Sequence, residues 1–202
     1  MNGNHLLRAA AWAMLALTVA SAESLLAQRK AYVVRKEDSL IGFAVYKWAV
    51  FKEEGRFKDF EGTIMYDRQN PAASQVDFTV RVNSIDSRND NRDRALRSKD
   101  FFNAEKFPTL TFSSTAVSAK GVDTLLVTGD LTIRGVRKRL TIPVRTLGIN
   151  RVGEIGELAG FESTFVINRE DFGVARGWDI ISKEATIHLM VGAASSLQAT
   201  SL

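Results

Sequence analysis

Seven stretches of this chain alternate apolar and polar residues with a period of two. Val76, Phe78, Val80 and Val82 alternate with Asp77, Thr79, Arg81 and Asn83. Ile41, Phe43 and Val45 form a second run, and Leu110 and Phe112 a third. Val127, Gly129, Leu131 and Ile133 form a fourth, and Leu140, Ile142 and Val144 a fifth. Phe161, Phe165 and Ile167, then Ile187, Leu189 and Val191, complete the set. Successive strand residues point to opposite faces, so this period marks half-buried strands. Turn residues separate the runs at Asn70-Pro71, Lys120-Gly121, Arg134-Gly135 and between Gly153 and Gly156. Arg134-Gly135 joins its two runs tightly enough to predict a hairpin. So many antiparallel strands must protect their edges, and closing into a barrel abolishes them. The alternation alone leaves barrel and sandwich both open. It predicts one all-β domain without internal repeats.

Asn89 to Phe112 breaks the alternation. Asn89 or Asp90 can cap a short helix. Asp93 and Arg97 stand four apart and can pair across one turn. Leu96 is the one large apolar residue of that turn, so the helix needs a partner to bury it. Asp100 stops the helix, Phe101 and Phe102 follow at once, and Phe107-Pro108 opens the next extended run. A charged turn that delivers paired aromatics to a sheet rim predicts a lid over an apolar interior.

The same segment carries a resemblance. Ser84-Ile85-Asp86, Arg92-Asp93, Leu96-Arg97-Ser98, Asp100-Phe101-Phe102, Phe107-Pro108 and Phe112-Ser113-Ser114 resemble the signature of the YceI-like family. Three more stretches agree: Gly55 to Ile64 (GRFKDFEGTI), Gly129 to Ile142 (GDLTIRGVRKRLTI) and Ile167 to Val174 (INREDFGV). The resemblance spans Tyr32 to Val191. It implies an all-β, antiparallel, eight-stranded lipocalin-like barrel with a short helix over one end, binding polyisoprenoid lipid. Many relatives carry histidines where this chain has Asp38, Lys47, Ala95 and Arg134. A metal or proton role for those histidines is thus not on offer here. Lys47 and Arg134 instead favour an anionic head group.

Met1 to Arg8 followed by the apolar run Ala9 to Val19 reads as a removable leader. The run is too short to span a bilayer. Ala20-Ser21-Ala22 has the spacing of a signal-peptidase site, with Ala27 as a second cleavage point. The expected organisation is a signal peptide at 1–22, a lipid-binding barrel at 31–192 and a flexible tail at 193–202. The expected location is the periplasm or the cell exterior. Losing residues 1–22 removes Arg8 and no acid, so the formal charge of +4 falls to +3. No polybasic block or organised basic helix suggests nucleic acid.

The chain has no cysteine, which removes thiol catalysis and zinc–thiolate sites. Its histidines are His5, in the leader, and His188, so a histidine-rich zinc site is out of reach. No G-x-S-x-G turn exposes a serine. Glu53, Glu54 and Asp59 lie among lysines and read as a solvated loop. The expectation is a protein without catalysis, cofactor or metal.

Of twelve phenylalanines and three tryptophans, only Trp12 falls in the leader. The eight-stranded barrel that the resemblance implies has room for side chains or one small ligand. Alternation points Phe43, Val45, Phe78, Phe112, Leu131 and Phe165 inward as tail contacts. Trp48, Phe60, Phe101, Phe102 and Phe172 sit at strand ends and connections, the last three as a lid. Lys47, Arg92, Arg94 and Arg134 are the head-group candidates. Asn168 to Gly173 reads as structural: a polar turn, an aromatic plug and a glycine bend. The expected partner is an isoprenoid lipid or isoprenoid quinone, with membrane-surface contact and homodimer formation left open. The alternative is a stress-associated protein-interaction module with no bound lipid.

Overall fold

The computed structural model describes residues 29–153, 156–175 and 178–195. The leader lies outside these residues. Among the described residues, ten strands and one α-helix follow in order: β1 (Lys30–Lys47), β2 (Phe51–Phe57), β3 (Phe60–Tyr66), β4 (Gln75–Arg81), β5 (Ile85–Asp86), α1 (Asp90–Arg97), β6 (Thr109–Ala119), β7 (Thr124–Ile133), β8 (Val136–Val152), β9 (Gly156–Asn168) and β10 (Glu184–Ser195).

All pairings are antiparallel, and β1 pairs with β10 to close the sheet. Two of the barrel's eight strands are interrupted. β2 and β3 together run back along β1, with Lys47 opposite Phe51 at one end and Lys30 opposite Tyr66 at the other. β4 and β5 together run along them, with Phe60 opposite Val80 and Phe57 opposite Ile85. A 3-10 turn at Val82–Ser84 breaks that second strand. The barrel is therefore the eight-stranded antiparallel one that the family resemblance implies, and it removes every long free edge.

Glu53 and Glu54 are strand residues of β2, not loop residues. Charged residues at four of seven positions hide the strand. Inward-facing Glu53 tolerates its place because Arg92 pairs with it. β10 runs on to Ser195, past the predicted start of the tail, and Ala193 is fully buried opposite Val34 and Ala159. Residues 196–202 lie outside the described residues.

β1 bends where its register against β10 shifts between Arg35 and Leu40. Asp38 and Ser39 occupy this bulge. The Asp38 carboxylate accepts from Arg35 Nε at 2.6 Å, and the Ser39 hydroxyl accepts from Gly192 N at 3.0 Å. The bulge lets one long strand serve two directions of the curved wall.

The β1–β2, β5–β6, β7–β8 and β9–β10 connections gather at one end of the barrel, here called the plug end. The β3–β4, β6–β7 and β8–β9 connections gather at the other, the base. Tyr32 near the base is almost wholly buried, and its hydroxyl donates to Glu157 at 2.9 Å. Lys30 Nζ reaches the same carboxylate at 2.7 Å. These two bonds, the Lys30 one first, hold the Glu157 carboxyl below its usual range. Burial, then the Glu157 bond, pushes the Tyr32 phenol up.

Candidate functional site

The inward faces of the strands enclose an apolar cavity of about 180 Å³. Apolar cavities of about 150 Å³ stay dry and take up small hydrocarbons, so a space of this size and lining can accept apolar matter. Phe43, Phe78, Phe112, Leu131 and Phe165 all line it, as alternation predicts. Phe57, Phe161, Ile187 and Leu189 complete the aromatic and aliphatic wall. Tyr66, Ser74 and Ser163 add hydroxyls to the lining. The Ser163 hydroxyl donates to the Pro143 carbonyl at 2.5 Å, which satisfies its proton inside an apolar wall. His188 alternates outward from this wall and lies 3.3 Å from the Thr164 hydroxyl.

Val45, Phe60 and Trp48 do not line the cavity. Val45 is half-buried on β1, beyond Phe43 toward the plug end, and Phe60 is buried in the main core. Trp48 lies on the β1–β2 turn at φ 50° and is 58% exposed. Its edge meets Phe51, and the Lys47 ammonium stands 4.3 Å over its ring. Counting aromatics could not separate a turn tip from a lumen position; the positive φ does.

Phe101 and Phe172 form a plug with Ile133, Val174 and Ala175. Phe102 packs between this plug and the main core, its ring edge-on to Phe57 at 5.8 Å. Phe57 in turn lies 5.8 Å from Phe43, so an aromatic chain runs from the cavity wall into the plug. Helix α1 supplies this arrangement. Asn89 caps it by accepting from Arg92 N at 3.0 Å, and it ends at Arg97 with Ser98 as its C-cap. Leu96 packs against both clusters, which gives the helix the partner it needs. The predicted Asp93–Arg97 pair does not form. Asp93 is buried and accepts from Ser87 N at 2.9 Å and the Ser87 hydroxyl at 2.5 Å, while Arg97 donates to the Ile85 carbonyl at 3.2 Å.

Two arginines fasten the plug. Arg134, at φ 52° in the β7–β8 turn, donates to the Lys99 carbonyl at 2.9 Å and to the Phe101 carbonyl. Arg169 is buried and donates to the carbonyls of Ser182, Val174, Ala175, Trp178 and Ile181. Burial pulls its guanidinium below the usual arginine range, yet it stays charged because that range lies so high. The 3-10 turn Arg169–Phe172 ends at Gly173 with φ 72°, the glycine bend predicted for this stretch. Sequence reasoning missed Arg169 as an organiser, because its five partners lie in a loop with no pattern of its own.

The head-group candidates divide. Arg92 is engaged by Glu53 and by the Ser87 hydroxyl and carbonyl, the last two at 2.8 and 2.6 Å. Arg134 is spent on the plug. Arg94 is exposed on α1 beside Asn91, away from the lumen, and Ala95 is exposed next to it. Among the described residues, the Lys47 ammonium has the Trp48 ring as its one side-chain partner.

The sequence model of the YceI-like domain matches residues 32–193. A UPF0312 protein of Pseudomonas paraeruginosa is 40% identical over 146 residues, covering 72% of this chain and 74% of that protein. Protein YceI of Escherichia coli is 39% identical over the same length and shares. Among solved structures, BcnA of Burkholderia cenocepacia superposes with a TM-score of 0.71 at 28% identity, covering 79% of this chain and 98% of BcnA. A polyisoprenoid-binding domain from Saccharophagus degradans superposes with a TM-score of 0.64 at 17% identity, covering 82% and 99%, a likeness of fold.

Proposed function

This chain belongs to the YceI-like family, and from that premise we propose that it is a non-catalytic carrier of an amphiphilic isoprenoid lipid. The observation that carries the reading is the closed barrel with an apolar cavity and an aromatic plug over one end. The name of the Saccharophagus domain, which shares the fold, supports the same ligand class. The tail lies along Phe43, Phe78, Phe112, Leu131 and Phe165. Each buried CH₂ is worth about 0.8 kcal/mol, so a prenyl chain is held without any covalent step. The ligand is an isoprenoid alcohol, phosphate or quinone, and no further cofactor enters the reading. Its head meets the rim near Lys47, whose ammonium stands over the Trp48 ring at the plug end. The leader of residues 1–22 sends the protein to the periplasm or beyond.

Organic extraction of protein purified from its host, followed by mass spectrometry, tests this reading. A co-purifying isoprenoid in near-stoichiometric amount is expected, and a clean extract counts against it. A second reading has one observation in its favour. Trp48, Val50, Phe51, Trp178 and Ile180 stand exposed at the plug end, as a protein-interaction surface would. A clean extract together with a stable complex of defined stoichiometry would favour that module.

A further inference from the structure

We propose that Gly55, Gly62 and Gly129 make the lumen, by giving three inward phenylalanine rings a place against the wall. The inference rests on the carrier reading and assigns these glycines as determinants of ligand volume. Phe43 faces Gly55 directly across β1 and β2, and Phe78 faces Gly62 across β3 and β4. Phe112 on β6 lies diagonally across from Gly129 on β7. A Cβ built on Gly55 would lie 2.4 Å from Phe43 Cζ. One on Gly62 would lie 2.9 Å from Phe78 Cδ1, and one on Gly129 would lie 2.5 Å from Phe112 Cζ. In each pair the ring occupies the place that a side chain would need.

None of the three glycines has a positive φ, so the backbone does not demand them. Gly121, Gly148 and Gly153 are the opposite case: positive φ and open space where a Cβ would go. The requirement at 55, 62 and 129 is room. A phenylalanine standing upright in an eight-stranded barrel would help fill an interior only wide enough for side chains. Laid over a glycine, the same ring becomes wall, and all three rings still line the cavity. Cross-strand neighbours sit about 4.5–5.5 Å apart at Cβ, close enough for an aromatic ring to cover a glycine.

Gly55 is the cleanest place to test this, because its three nearest neighbours are all Phe43 ring atoms. A Cβ on Gly129 would also meet the Ser113 carbonyl at 2.6 Å, which mixes ring and backbone effects. The experiment measures the affinity of the fluorescent probe N-phenyl-1-naphthylamine and its displacement by farnesol. It uses wild type, Gly55→Ala, Phe43→Leu and the double variant, with thermal melts to confirm folding. Gly55→Ala is expected to weaken binding at least tenfold, because the methyl drives the ring into the lumen. Phe43→Leu trims one tail contact and should weaken binding by about threefold, and the double variant should recover from the Gly55→Ala loss to that same level. A folded Gly55→Ala that binds like wild type overturns the assignment. So does a double variant that binds no better than Gly55→Ala. If Gly55→Ala fails to fold, the double variant should fold and bind; failure of both shows that backbone, not ring space, requires the glycine. A wild-type protein that takes up neither probe nor farnesol overturns the carrier reading itself, a result distinct from the others.

Discussion

The cavity wall and the plug are built by opposite means. The wall is held by the strand ladder and by apolar side chains, and it leaves space between them. The plug is held by Arg169 and Arg134, whose donors end on backbone carbonyls of the loops they tie together. A wall made of dispersion contacts can give when a chain enters, since each contact is small and many survive. A plug fastened by charge-assisted bonds has few partial states. On the carrier reading, the comparison assigns retention to the polar end and capacity to the apolar middle.

The strongest way to break this contrast is Arg169→Met. It leaves five loop carbonyls without their donor, those of buried Val174 and Ala175 among them, and the expected loss is roughly 3–5 kcal/mol in urea unfolding. A loss under about 1 kcal/mol would mean that the plug stands without its arginine. Phe78→Ala sharpens the other side. Truncating a buried phenylalanine costs about 3–5 kcal/mol, and the low end is expected here because the ring already borders open space. Parity with a fully packed core position would show that the cavity is not open at Phe78.

Phe102→Ala lies between the two regions. It is expected to speed release of a bound apolar probe at least fivefold in stopped-flow displacement, while the unfolding midpoint moves less than for Phe78→Ala. Unchanged release with a large loss of stability would make Phe102 core rather than lid. Acid probes the base, away from both. The Glu157 carboxyl is depressed in the folded state, so its contribution is present above the unfolded value of about 4.3 and is lost as pH falls through the folded value. Glu157→Gln should therefore flatten the acid limb of the stability curve and leave neutral probe binding unchanged. Lys47→Ala carries the smallest expectation, a loss of less than about threefold for an anionic prenyl ligand and none for farnesol. A tenfold loss for both would place Lys47 in the tail site.

Alternation made most of the wall legible. Val76, Phe78 and Val80, or Ile187, Leu189 and Val191, declare their inward face through local spacing alone. β2 was hidden, because its charges at Lys52, Glu53, Glu54 and Arg56 read as solvent until Arg92 arrives from a helix 39 residues on. The Phe–Gly pairs were hidden for a related reason. Each depends on register between strands, and no spacing along the chain shows that Gly62 stands opposite Phe78. The plug was half legible: its aromatics stood out at Phe101, Phe102 and Phe172, but their fastening did not. Trp48 stands in a connection, as its place in the sequence suggests, but its exposure takes it off the cavity wall.

The most direct test of the lumen as the binding site is a methyl NMR titration with farnesol on Ile/Leu/Val-labelled protein. Methyls of Leu131, Ile142, Ile187 and Leu189, which line the cavity, should shift and saturate together at one equivalent. Methyls of the exposed Leu147 and Val122, away from the plug end, should stay in place. Shifts confined to Val50 and Ile180 at the exposed tip, with the cavity methyls unmoved, would contradict the account.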